Sequence, residues 1–217
     1  MFPGIALLVL FATAMVNSQT TRDDVKARPT QRSIQIDSQK ARPTDYMASA
    51  LRNTGVWGGI EDYSQACDPE AERVFPAIAG NLQDVLISVP GSSSTWVEGG
   101  GGVLIKKSKP QPSVLDVSVA KFTYSRHDNV TIITDELLRL PVVQRRARQL
   151  HASERTPELG FAQLKSERSE GEQVTLTNVT VREVLNSIAQ VDRPRVWLYR
   201  QTNCNGRTWF LIQWLVK

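Results

Sequence analysis

STWVEGGGGVLIKK, residues 94–107, holds four consecutive glycines, Gly99 to Gly102, between two apolar runs. Two local structures suit such a run. A phosphate cradle needs a strand, a glycine turn and then a helix whose N-terminal amides meet the anion. A hairpin needs a strand on each side, with glycine supplying the positive φ of a tight turn. The residues after Gly102 decide between them. Val103, Leu104 and Ile105 favour a strand, Pro110 and Pro112 oppose a helix, and no Lys-Ser/Thr pair stands at Walker spacing. The stretch reads as a hairpin with a loose glycine tip, and no cofactor is expected there.

Working outward, NLQDVLISV precedes this hairpin, with Leu82, Val85, Leu86 and Val89 at helical spacing. Asn81 can cap that helix and Asp84 stands at its third position. The same parts recur in the same order near the C-terminus. VTLT alternates Val174 and Leu176, Thr180-x-x-Glu183 has the form of a capping box, and Val181, Val184, Leu185, Ile188 and Ala189 make one apolar stripe. VWLYR and TWFLIQWL then flank Asn205-Gly206, a strong hairpin dipeptide. The chain therefore reads as an internal repeat of a helix–hairpin unit, each apolar helix face laid on a small antiparallel sheet.

Between the copies, VLDVSVAKFTY reads as a strand whose inward phase switches near Ala120, as a bulge would cause. Thr134 can cap a helix that Pro141 breaks or restarts and that continues through Val143, Ala147 and Leu150. Ahead of the first copy, TDYMASALRNTG predicts a helix capped at Thr44 or Asp45 and stopped at Gly55. The polar stretch 156–173 reads as a loosely structured connection.

The N-terminus, MFPGIALLVLFATAMVNSQT, has an apolar run from Ile5 to Val16 and small residues at Val16 and Ser18, a secretory leader cut after Ser18. A membrane anchor is the other reading, but the run is shorter than the roughly 20 apolar residues of a span. No second long apolar stretch occurs, so no integral membrane segment is expected once the leader is removed. Residues 19–43 are polar and basic and carry KARPT twice, the composition of a flexible tether.

Of 217 residues, 26 are Lys or Arg and 22 Asp or Glu. This mild basic excess permits contact with anionic surfaces without arguing for it. Only two cysteines occur, Cys67 and Cys204, without metal spacing. In an exported chain such a pair forms one disulfide or remains as two thiols.

Catalytic readings find little support. PGSSST lacks the Gly-x-Ser-x-Gly elbow, and His127 and His151 stand in no metal spacing. Asp135 and Glu136 are adjacent, so on a helix they point apart. Arg145, Arg146, Arg148 and Arg155 cluster without interleaved aromatics, a solvated basic face rather than a nucleic-acid surface. Trp197, Tyr199, Trp209 and Trp214 lie on alternating strands and form either an exposed partner patch or a surface covered by the other domain.

The segments MASALRNTGVWGGIE, NLQDVLISV…STWVEGGGGVLI and, more closely, VTLTNVTVREVLNSIAQ…VWLYR…FLIQW resemble the short N-terminal domain of secretins and TonB-dependent receptors, the STN domain. KFTY and the 134–150 helix are similar to the first half of a second, divergent copy. The resemblance implies an α+β fold of two small βαβ-type domains, each with helices packed on short antiparallel or mixed sheets, over 44–109 and 110–217. It supplies no catalytic residues, and no strands of a membrane barrel appear up to Lys217. The expectation is a non-catalytic, periplasmic or extracellular module that binds or assembles with an envelope or secreted protein. Its rivals are a small secreted enzyme with an unrecognised site and a binder of anionic polymer or membrane surfaces.

Overall fold

Tethers do not bury isoleucines, yet Ile34 and Ile36 are almost fully enclosed. In the computed structural model, which describes residues 28–64, 67, 70–89, 94–107, 111–154, 171–191 and 195–215, ordered structure begins well before Thr44. The leader, tether residues 19–27 and the connection at 155–170 with Arg155 lie outside the described residues. Ser33-Ile34-Gln35-Ile36 alternates like a half-buried strand, and that period outweighs the polar composition around it.

The first unit runs β1 (Ser33–Ile36), β2 (Gln39–Ala41), α1 (Pro43–Thr54), β3 (Trp57–Ser64), β4 (Arg73–Phe75), β5 (Ile78–Asn81), α2 (Leu82–Ser88), β6 (Thr95–Gly99) and β7 (Gly102–Lys106). α1 starts at Pro43, whose fixed φ suits a first helical position, so its cap is Arg42 rather than Thr44 or Asp45. It ends, as expected, on Gly55 in the left-handed conformation. α2 carries the full capping box between Asn81 and Asp84.

The second unit runs β8 (Ser118–Ser125), α3 (Val130–Leu138), α4 (Pro141–Gln149), β9 (Ala152–Glu154), β10 (Gln173–Thr180), α5 (Val181–Gln190), β11 (Val196–Cys204) and β12 (Arg207–Leu215). α3 begins ahead of Thr134. Asn129 caps it by accepting from Thr131 N–H, while Thr134 lies buried inside it and donates to Val130 C=O. Pro141 does restart the helix, as α4. The phase of β8 does switch at Ala120, but no residue is inserted. The β8–β10 register is the same on both sides of a gap at Ala120 and Asn178, and Asn178 has a φ of 54°. The break is a kink shared by both strands rather than a bulge.

The fold is α+β, with five α-helices and twelve strands among the described residues. The units do not form two separate sheets, however. One six-stranded sheet has the order β6-β7-β3-β11-β12-β9 and so runs straight across the 109/110 boundary. β3 pairs in parallel with β7 on one side and with β11 on the other. Side chains alternate across a strand. On one face Ile60, Val103, Ile105, Val196 and Leu198 pack with α1, α2 and β1. On the other, Tyr63, Trp197, Tyr199 and Phe210 pack with α3, α4, α5 and β8. Each unit thus puts its helices on its own face of a shared sheet.

Strand directions obey the same logic. With β3 taken as up, β6, β7 and β3 run down, up, up, whereas β11, β12 and β9 run up, down, down. The second unit is the first turned over by about half a turn around the axis that crosses the strands. That single operation reverses the strands and exchanges the faces.

Candidate interaction surface

The glycine run is the tip of the β6–β7 hairpin. Gly100 and Gly101 have φ of 57° and 85°, the pair of positive values that a two-residue turn of mirror-image type demands. Asn205 and Gly206, at 51° and 72°, close β11–β12 in the same way. Gly102 has a different reason to be glycine. The indole of Trp57 lies on it, and a Cβ there would overlap the ring. A strand rather than a helix comes after it, so no phosphate cradle is formed.

Gly59 repeats this device where the two units meet. The Trp197 ring covers it, again leaving no room for a Cβ, and Trp197 Nε1 donates to Asn186 Oδ1 of α5 at 3.0 Å. Trp197 and Tyr199 are therefore fully buried under α5 and its neighbours and form no exposed patch. Trp209 and Trp214 are half-buried and point to opposite faces, and Trp214 Nε1 donates to Thr134 Oγ1 at 2.8 Å. Trp197 and Tyr199 form no exposed partner patch, and what covers them is the helices of their own unit rather than the other domain. Strand alternation scatters the four, and α3 and α5 seal the face that holds Trp197, Tyr199 and Trp214.

The junction is fastened on both faces. Glu61, with no exposed surface, meets Arg182 of α5 at 2.5 Å, and Arg182 also meets Asp116 at 2.8 Å. Tyr63 donates to Glu61 at 2.9 Å. On the opposite face Asp62 takes Arg200 of β11 at 3.1 Å and Lys107 at 3.5 Å. Burial alone would weaken the Arg182 charge, but the hydrogen bonds and charges of Glu61 and Asp116 outweigh it and hold the guanidinium above its usual range. Burial pushes the phenols of Tyr63 and Tyr199 up. Asp116 would also be raised by burial, yet Arg182 and Ser113 bring it below the usual carboxylate range. Glu61 and Asp62 face opposite sides of β3, each tied to a cation, so they cannot share a proton or a substrate. Their geometry suits a clamp.

Cys67 and Cys204 form a disulfide, with Cα atoms 4.9 Å apart. Ser64 ends β3 opposite Thr202 of β11, and Cys67, three residues on, lies beside Cys204. The bond staples the two units at their seam.

What remains open is the outer margin of the first unit. Among the described residues β6 pairs only with β7. In a two-residue hairpin the residues flanking the turn form a hydrogen-bonded pair, and bonded pairs then alternate. The backbone groups of Gly99, Val97 and Thr95 thus face β7, and those of Trp96 and Glu98 point outward. β11 keeps the same phase at the seam, where Gly58 N–H donates to Arg195 C=O. Val97 is 60% exposed. A hollow of about 380 Å³ lies beside it, walled by Trp57, Leu104 and the α5 residues Asn186 and Gln190. A second, of about 650 Å³, lies on the other face between Trp96, Glu98, Arg28 and Arg32. Sequence reasoning missed this edge. Its one signal was Val97, an apolar residue in a hairpin whose partner side nothing nearby could fill.

His127 and His151 are exposed, and His151 takes a left-handed φ of 48° just after α4. Arg145 and Arg148 are exposed on α4 and Arg146 is half-buried. Among the described residues no group of three or more His, Cys, Asp or Glu could hold a metal ion, and no helix is long and apolar enough to cross a membrane. No protein-family model, no curated protein and no solved structure matches this chain.

Proposed function

We propose that this protein is a non-catalytic interaction module of an exported, periplasmic or extracellular compartment, and that it binds its partner by adding a strand to β6. The observation that carries the reading is the β6 margin itself. Trp96 and Glu98 offer outward backbone donors and acceptors, with a hollow on each face of the hairpin. An added strand sends alternate side chains to opposite faces, so the two hollows suit the two sets. The leader sequence supports export, and so does the disulfide, since such bonds persist in oxidising compartments. The duplicated helix–hairpin, with a parallel strand beside each hairpin, supports a reading as tandem STN-like units.

The test is a cross-linked pull-down from the envelope fraction with three forms of the protein: wild type, Val97→Lys and Val74→Lys. Val74, 73% exposed on β4, gives the same charge change away from β6. A lysine on an edge strand opposes pairing. The expected result is a cross-linked species captured by wild type and Val74→Lys but lost from Val97→Lys. Identical capture by all three forms would overturn the reading.

A further inference from the structure

We propose that the strand added at β6 is supplied by a second copy of this protein, β9 of one molecule pairing in parallel with β6 of the next to give an open head-to-tail chain. The proposal rests on the reading of β6 as a binding edge and names its partner.

The molecule already contains one such joint. β6, β7 and β3 of the first unit correspond to β11, β12 and β9 of the second, because each set is a hairpin with a third strand parallel to its second strand. The β3–β11 seam therefore joins the last strand of one unit to the first strand of the next. Among the described residues the strands left at the margins are β6, a first strand, and β9, a last strand. They are the two halves of the same kind of joint.

The directions agree as well. β6 and β9 run the same way within one molecule, so a second copy moved along the sheet without reversal presents its β6 parallel to the β9 of the first. Two half-turn steps make a whole turn, which is why translation suffices. Backbone phase fits too. Gly58 of β3 points its N–H toward β11, and Glu61 C=O points toward β7. Counted from the hairpin turns, Ala152 pairs with β12 where Gly58 pairs with β7. Ala152 and Glu154 thus point their backbone groups outward, toward the incoming β6.

Side chains complete the match. α1 packs over the face of β11 that the second unit leaves bare. α4 precedes β9 as α1 precedes β3, each with a left-handed residue between, Gly55 and His151. At the outer joint α4 of one molecule therefore comes over the bare face of β6 of the next, where Val97 and the 380 Å³ hollow lie. α4 exposes Val142 and carries Arg145 and Arg148, which form no ion pair with a described residue. Glu183 lines the hollow. Apolar and charged groups thus meet complementary ones. The two margins differ from each other, so the contact is heterologous and does not close on itself. β9 offers three paired residues where the inner seam has seven, so the outer joint is the weaker and depends on concentration.

The experiment is sedimentation velocity on purified protein over a concentration series. It uses wild type, Val97→Lys to disable β6 and Glu154→Pro to remove an outward N–H from β9. Unchanged near-ultraviolet circular dichroism checks that both variants fold. Wild type should grow beyond a dimer as concentration rises. Each variant alone should associate more weakly by roughly tenfold or more, the worth of one buried valine or edge contact. Mixed together, the variants should form a one-to-one dimer and nothing larger, because each retains the margin the other lacks. A wild type that stays monomeric, or saturates as a closed dimer, overturns the proposal. So does a mixture that fails to pair, or variants that associate like wild type. Loss of self-association with retained Val97-dependent capture from the envelope would leave the β6 reading standing and assign it a different partner.

Discussion

The β3–β11 seam and the β6 margin are made from equivalent parts and finished in opposite ways. At the seam, Trp197 is sealed over Gly59, Leu198 is 2% exposed, and buried acids on both faces hold cations from neighbouring strands and helices. At the margin, Val97 is 60% exposed and hollows flank the hairpin. The same three-strand arrangement, a hairpin with a parallel third strand, becomes interior at one place and surface at the other through a handful of side chains. The seam buries aromatic and charged groups against one another, whereas the margin leaves Val97 mostly in solvent.

The largest effect should come from cutting the staple. Replacing Cys67 and Cys204 by serine frees a loop whose ends are 137 residues apart, which the chain-entropy argument values at about 5 kcal/mol. Urea unfolding should show that loss as a lower midpoint, and reduction of the wild type should reproduce it. An unchanged midpoint would mean that the seam holds without the bond.

Next comes Arg182→Ala. It strands the fully buried Glu61 and should destabilise by about 3–5 kcal/mol. Replacing both partners, as Glu61→Gln with Arg182→Met, should recover much of this, since no buried charge is then left unpaired. The pH profile sharpens the point. Asp116 has a folded-state pKa below its unfolded value of about 3.9, so its contribution is present above that pH and lost as pH falls through the folded value. Without Arg182, burial acts on Asp116 with less opposition, and this acid-side loss should shrink. Asp116 is 48% exposed, so the change is small beside the loss of the Glu61 pair.

Gly59→Ala is the third test. The added methyl meets the Trp197 ring at the seam and should cost about 1–3 kcal/mol. Gly99→Ala at the margin meets nothing within 4 Å and should stay within about 0.5 kcal/mol. Equal costs at the two positions would erase the distinction between seam and margin.

The features legible in the sequence were those with local causes. Asn81 with Asp84 and Thr180 with Glu183 lie within one helical turn, and both capping boxes form. Asn205-Gly206 and the glycine run specify their turns by φ alone. The two helix–hairpin segments could be read because each keeps its parts in order along the chain. The parallel β3–β11 pairing could not, since its strands lie far apart in sequence and no local residue announces a parallel partner. That omission led to two domains where one sheet runs through, and it left the burial of Trp197 and Tyr199 open, because the glycine that receives Trp197 belongs to the other unit. Ile34 and Ile36 were masked by charged neighbours on both sides.

The smallest effect on stability is expected at Val97, and that is what makes it informative. Val97→Lys changes a side chain that is mostly in solvent, and its backbone bonds to β7 are untouched, so the unfolding free energy should move by less than about 0.5 kcal/mol. At Leu198, on the equivalent bare face of β11 but 2% exposed beneath α1, the same charge would have to be buried. If Val97→Lys destabilises the isolated molecule by several times that limit, the β6 margin is already covered within the molecule and cannot be a binding edge. If stability holds while binding is lost, the exposed valine answers to something outside the fold, as an unfinished copy of the inner seam requires.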